Sequence, residues 1–146
     1  MRHQIVGIHH LKFAVADLEK SLKFYESVFG AKRIHSFDHV TERGELFAII
    51  VEFPNLGTPL ELRLDPTVAA AQRGFDPITL SIESNAALDS WCDHLDDLRV
   101  PHSSVLNGLL GRLLVIEDPD GRRLRLYSQE KHAQGIIRGR DARWLG

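Results

Sequence analysis

The segment GIHHLKFAVAD, Gly7 to Asp17, lines up without a gap on GFDPITLSIES, Gly74 to Ser84. The residues after each copy repeat a second pattern. Ile8 to Val15 is rich in β-branched, aromatic and apolar residues and predicts a strand. Asp17 then stands as a helix N-cap, and Leu18, Leu22, Tyr25 and Val28/Phe29 form one apolar stripe at helical spacing, with Gly30 as the stop. Three strand candidates come next: AKRIHSF, ELFAIIVEF and, past the turn-like PNLGTP, LELRL. In the second copy Leu88, Trp91, Leu95 and Leu98 mark the helix, and VPHSSVL, GRLLVIE and RRLRLY (after the turn DPDG) mark the strands.

Each half therefore reads β-α-β-β-β, an α+β chain of two tandem modules. We assign module one to residues 4–64, a linker DPTVAAAQRG to 65–74, module two to 74–129, and a basic, glycine-containing arm to 130–146 that docks through Trp144 and Leu145. The length suits one compact domain of 1–146 or two small fused modules.

Bulk properties narrow the class. Hydrophobic residues at 43% and charged residues at 26% describe a globular chain rather than a disordered one. The net charge of -2 gives no general attraction to nucleic acid or anionic membrane. No apolar run approaches the roughly 20 residues needed to span a bilayer. MRHQIVGIHH lacks the apolar core of a secretory signal. A single cysteine, Cys92, excludes an intrachain disulfide and fits a reducing compartment. The expectation is a cytoplasmic protein with no nucleic-acid or membrane partner.

The opening HHLKFAV-ADLEKSLKFYESVFG and the close DPDGRRLRLY, in order inside a duplicated layout, resemble the vicinal oxygen chelate superfamily of glyoxalases, bleomycin-resistance proteins and extradiol dioxygenases. The resemblance covers about residues 4 to 129. It implies sheets curled into an open cup with the helices outside, a small-molecule site inside the cup, and a homodimer.

Strand alternation assigns the faces. Leu11, Phe13 and Val15 go to the helix side with His9, and His10, Lys12 and Ala14 to the cup. In LELRL, Leu60, Leu62 and Leu64 pack inward while Glu61 and Arg63 face the cup. In module two, Pro77, Thr79 and Ser81 face the cup against core Ile78, Leu80 and Ile82, and Arg123, Arg125 and Tyr127 do so against core Leu124 and Leu126.

Metal-dependent members of the superfamily place ligands on the first and last strand of each module. Carried across, the four positions are His10, Glu61, Pro77 and Arg125. Module one keeps a histidine and a glutamate; module two has lost both, since proline has no donor and arginine stays cationic. Two ligands fall short of the three that catalytic zinc or a non-haem iron triad requires. A divalent metal at His10 and Glu61 then needs a third ligand from His35, His39, His102 or a partner chain. Without a metal, Arg125 is expected to pair with Glu61 and replace the ion's charge.

These residues support two functions. One is an enzyme, of lyase, isomerase or dioxygenase-like type, acting on a small oxygenated or anionic metabolite. His10 would shuttle a proton, Glu61 would orient it or act as base, Tyr127 would donate to an oxyanion, and Lys12, Arg63, Thr79, Ser81, Arg123 and Arg125 would bind substrate. The other is a metal-free protein that sequesters a small molecule or drug, as bleomycin-resistance proteins do. A third role, protein contact through the Trp144 arm, rests on tail composition alone. The remaining features read as structural. His9 is a core or rim histidine, Cys92 a small buried hydrophobe, GLLGRLL a flexible turn beside the cup, and HLDDLR a solvated helix face with Leu95 and Leu98 buried.

Overall fold

The computed structural model describes residues 3–132 and 143–144. The chain divides into two compact units, Met1–Ala71 and Gln72–Gly146.

In the first unit, β1 (Leu11–Val15) leads to helix α1 (Leu18–Phe29), then β2 (Lys32–Arg33), a 3₁₀ turn (His35–Phe37), β3 (His39–Val40), β4 (Leu46–Glu52), β5 (Leu60–Leu64) and helix α2 (Pro66–Ala71). The sheet runs β1-β5-β4-β2, with β3 also on β4. In the second unit, β6 (Ile78–Ile82), α3 (Asn85–Asp97), β7 (Leu106–Asn107), β8 (Gly111–Glu117) and β9 (Arg123–Lys131) give the order β6-β9-β8-β7. Both units thus pair their first and last strands in parallel at one side of the sheet. The registers match as well: Leu11 faces Leu60 and Lys12 faces Glu61, as Ile78 faces Leu124 and Thr79 faces Arg125.

The helix signals act as their chemistry predicts. The Asp17 carboxylate accepts from Lys20 N–H at 2.9 Å, and the Ser84 hydroxyl from Ala87 N–H at 3.1 Å, each satisfying a first-turn amide. Gly30 ends α1 with φ 68°, a left-handed conformation that favours glycine. Tyr25 and Val28 are buried; Tyr25 lies 6.2 Å, ring to ring, from Phe13 and stacks on Phe53 at 5.9 Å. Large side chains of this kind contribute about 1.5–3 kcal/mol each on burial.

Several expectations are corrected. The first strand begins at Leu11, so His9 and His10 precede it, and both are exposed. AKRIHSF is not one strand: pairing stops after Arg33, and the chain turns through His35–Phe37 so that His39 and Val40 can pair with β4. The 65–74 linker contains α2, capped where Asp65 Oδ1 accepts from Val68 N–H at 3.0 Å. VPHSSVL yields only the bridge of His102 to Ile116 and the short β7. Leu64 and Leu98, expected in the core, are 42% and 38% exposed because each ends its element. In the tail, Trp144 is buried; Leu145 and most of the arm lie outside the described residues.

Candidate functional site

Phe13 meets α1 through Tyr25, so alternation turns Lys12 and Ala14 to the opposite face of the first sheet. The register places Glu61 beside Lys12 and Arg63 beside Ala14, with Ile50 and Ala48 next across on β4. His39, opposite Ala48, joins the same face from β3. These side chains meet. Glu61 is only 3% exposed. Its Oε2 accepts from Arg63 Nε at 2.8 Å and lies 3.6 Å from Lys12 Nζ, and its Oε1 lies 3.5 Å from His39 Nε2. His39 donates from Nδ1 to the Phe37 carbonyl at 2.7 Å, which fixes the ring. Phe47 supports both neighbours: the Arg63 guanidinium lies 5.3 Å from its centroid, and His39 meets it edge-on at 5.7 Å.

Burial alone pushes the Glu61 carboxyl up. The hydrogen bond from Arg63 and the charges of Arg63, Lys12 and His39 outweigh it and hold the group below its ordinary value. Glu61 is therefore a carboxylate held by cations. The cations themselves stay accessible, with the Lys12 and Arg63 side chains 49% and 40% exposed.

In the second unit the equivalent positions are organised differently. Thr79 and Ser81 are exposed beside Arg125 and Tyr127. Arg125 does not stand free to replace a metal's charge, because its Nε lies 2.5 Å from Asp76 Oδ2. The Tyr127 hydroxyl accepts from the N–H groups of Leu110 and Gly111 at 2.9 and 3.2 Å. It thus ties down the 108–110 turn, which the glycine-rich sequence predicts to be flexible. The Arg123 guanidinium lies 5.5 Å from the centroid of Trp144.

The other candidates separate. His10 is exposed, edge-on to His9 with their Nδ1 atoms 2.9 Å apart, and makes no contact with Glu61 among the described residues. His9 is therefore a rim residue. Of the proposed third ligands only His39 reaches Glu61; His35 is exposed, and His102 binds Asp96 at 2.7 Å and the Ser103 carbonyl at 2.6 Å. Cys92 is half-buried on α3; burial, then Asp89, Asp96 and Asp93, push its thiol up, away from nucleophile chemistry.

The donor set does not suit a metal ion. Glu61 is engaged by two cations, the second unit offers Pro77 and Arg125, and among the described residues no three His, Cys, Asp or Glu side chains form a ligand group. Reading the sequence missed Asp76, Phe47 and the part played by His39. Asp76 precedes its strand, and His39 reaches the site only because β3 pairs with β4.

The family model for the Glyoxalase/Bleomycin resistance protein/Dioxygenase superfamily matches residues 7–126. The chain belongs to that superfamily. Within it, the chain is 28% identical over 133 residues to the putative ring-cleaving dioxygenase MhqA of Bacillus subtilis, covering 88% of this chain and 42% of that protein. The chain thus spans less than half the length of that relative. Among solved structures, TnmS3, an antibiotic binding protein from Streptomyces sp. CB03234, matches with TM-score 0.69 and 23% identity over 88% of this chain and all of that one. The fosfomycin resistance protein FosX of Listeria monocytogenes, complexed with manganese(II), matches with TM-score 0.68 and 20% identity over 85% of this chain and 90% of that one. These two likenesses establish the shared fold. No helix among the described residues of this superfamily member is long and apolar enough to cross a membrane.

Proposed function

We propose that this chain is a small-molecule-binding domain that holds an oxyanion-bearing ligand without a resident metal and sequesters it unchanged. The observation that carries the reading is Glu61 held between Arg63 and Lys12. A carboxylate tied in this way is a weak base and a poor metal ligand. Arg63 gives only Nε to it among the described residues, so its terminal nitrogens and the half-exposed Lys12 ammonium are left to face a carboxylate, phosphate or phosphonate. Glu61 then acts by holding two mutually repelling cations side by side. The fold shared with an antibiotic binding protein supports the same reading.

A second reading, a lyase- or isomerase-type enzyme, draws on the likeness to the dioxygenase and on His10. His10 is exposed and stands at the first ligand position, where it would move a proton on a bound substrate.

Calorimetric titration of the full chain with methylphosphonate and glycolate, with subsequent recovery of the ligand, separates the two. Saturable binding that weakens at high salt and in Arg63→Met, with ligand recovered intact, supports sequestration. Conversion that stops in His10→Ala supports the enzyme. No binding of either probe sinks the anion-site reading.

A further inference from the structure

Trp144 packs on Leu113 and Val115, with Leu106 and Tyr127 against the same cluster. The register identifies which side of the second sheet this is. Leu113 lies opposite Tyr127, Val115 opposite Arg125 and Glu117 opposite Arg123, while Ser81 and Thr79 flank Tyr127 and Arg125 on β6. All of these share one face. The alternate set, Leu114, Ile116, Leu124 and Leu126, is fully buried on the other side, where α3 brings Leu88 and Leu95. Trp144 therefore sits on the face that carries Thr79, Ser81, Arg123, Arg125 and Tyr127, and not in the core under the helix.

The contacts there describe a site for a flat ring. The floor is aliphatic: Leu113 and Val115 are 1% and 0% exposed. Tyr127 forms one side, its hydroxyl fixed by the turn amides. The Arg123 guanidinium lies over the indole, a geometry that holds any electron-rich aromatic face. The Arg123 Nε is buried and has no hydrogen-bond partner among the described residues. A buried donor left without an acceptor costs about 1–3 kcal/mol, and indole, which offers only a donor, cannot satisfy it.

We propose that this face of the second unit is a binding site for a flat aromatic ligand bearing a carboxylate or phenolate oxygen, and that Trp144 occupies it as an internal stand-in that such a ligand displaces. The ring of the ligand takes the place of the indole on Leu113 and Val115, and its oxygen accepts from Arg123 Nε, the bond Trp144 cannot make. Displacing Trp144 costs affinity by the fraction of molecules in which the face is already free. The inference concerns the second unit and stands apart from anion binding at Glu61.

The test is a titration of ¹⁵N-labelled full chain with 2-naphthoate. Trp91 and Trp144 are the two tryptophans and give two indole signals, assigned through Trp91→Phe. The expected result is a saturable shift of the Trp144 signal alone, absent with cyclohexanecarboxylate and weakened in Arg123→Gln. Trp144→Ala, relieved of its competitor, binds 2-naphthoate at least about threefold more tightly. A Trp144 signal that 2-naphthoate leaves unmoved, or a folded Trp144→Ala that gains no affinity, overturns the proposal. Should Trp144→Ala fail to fold, the wild-type and Arg123→Gln titrations decide it: a shift that Arg123→Gln does not weaken counts against the site.

Discussion

The Nε of Arg63 donates a 2.8 Å hydrogen bond to Oε2 of Glu61 from two positions further along the same strand. Residues so spaced share a face, so the pairing is local and arises from LELRL once that segment is a strand. Lys12 joins it by register and His39 through the short β3. A superfamily position that takes a metal ligand elsewhere here carries a carboxylate already claimed by cations.

That arrangement fixes a pH dependence. The Glu61 carboxyl lies below its ordinary 4.5 in the folded chain, so the folded state binds its proton less readily than the unfolded state. Its contribution to stability is complete above 4.5 and is lost as pH falls through the lower folded value. Because Lys12 and Arg63 are half-exposed and screened, Glu61→Gln should cost only about 1–2 kcal/mol near neutral pH. Denaturant unfolding of wild type and Glu61→Gln should show that gap closing in acid; a gap that widens in acid contradicts the assignment.

Arg63→Met should reverse the direction of the shift. With its hydrogen bond and nearest charge gone, burial becomes the main influence on Glu61 and raises its carboxyl. A carbon-detected titration of the Glu61 carboxyl would track this directly. A midpoint unchanged from wild type would mean that Lys12 and His39 hold the carboxylate alone.

Tyr127→Phe removes the acceptor for the amides of Leu110 and Gly111. We expect about 1 kcal/mol of lost stability, together with faster hydrogen exchange at those two amides. Unchanged exchange would free the hydroxyl for a part in ligand chemistry.

Cys92 should resist modification. Burial and three neighbouring aspartates raise its thiol above the ordinary 9.0. Iodoacetamide should therefore alkylate the native chain far more slowly than the unfolded chain at neutral pH. Equal rates would contradict this.

The repeat and its caps are legible in the sequence because each rests on local chemistry: Asp17, Ser84 and Gly30 act on neighbouring backbone, and the gapless alignment of Gly7 with Gly74 reappears as matching strand registers. Short-range alternation likewise assigns Glu61, Arg63 and Lys12 to one face. Partners set by long-range pairing are not legible. Spacing alone points Arg125 at Glu61, yet Asp76, just ahead of β6, lies against it through the parallel pairing of β6 with β9. His39 and His35 are equal candidates until the 3₁₀ turn separates them. Composition extends the first strand over His10, but pairing begins only at Leu11, whose N–H bonds the Pro59 carbonyl.

The most direct test of a metal-free anion site is calorimetric titration of chelator-treated chain with methylphosphonate, repeated after adding manganese(II). The account predicts the same binding in both, weakened in Arg63→Met. Binding that occurs only with manganese, and disappears in Glu61→Gln and His10→Ala, would contradict it and return His10 and Glu61 to the role of metal ligands.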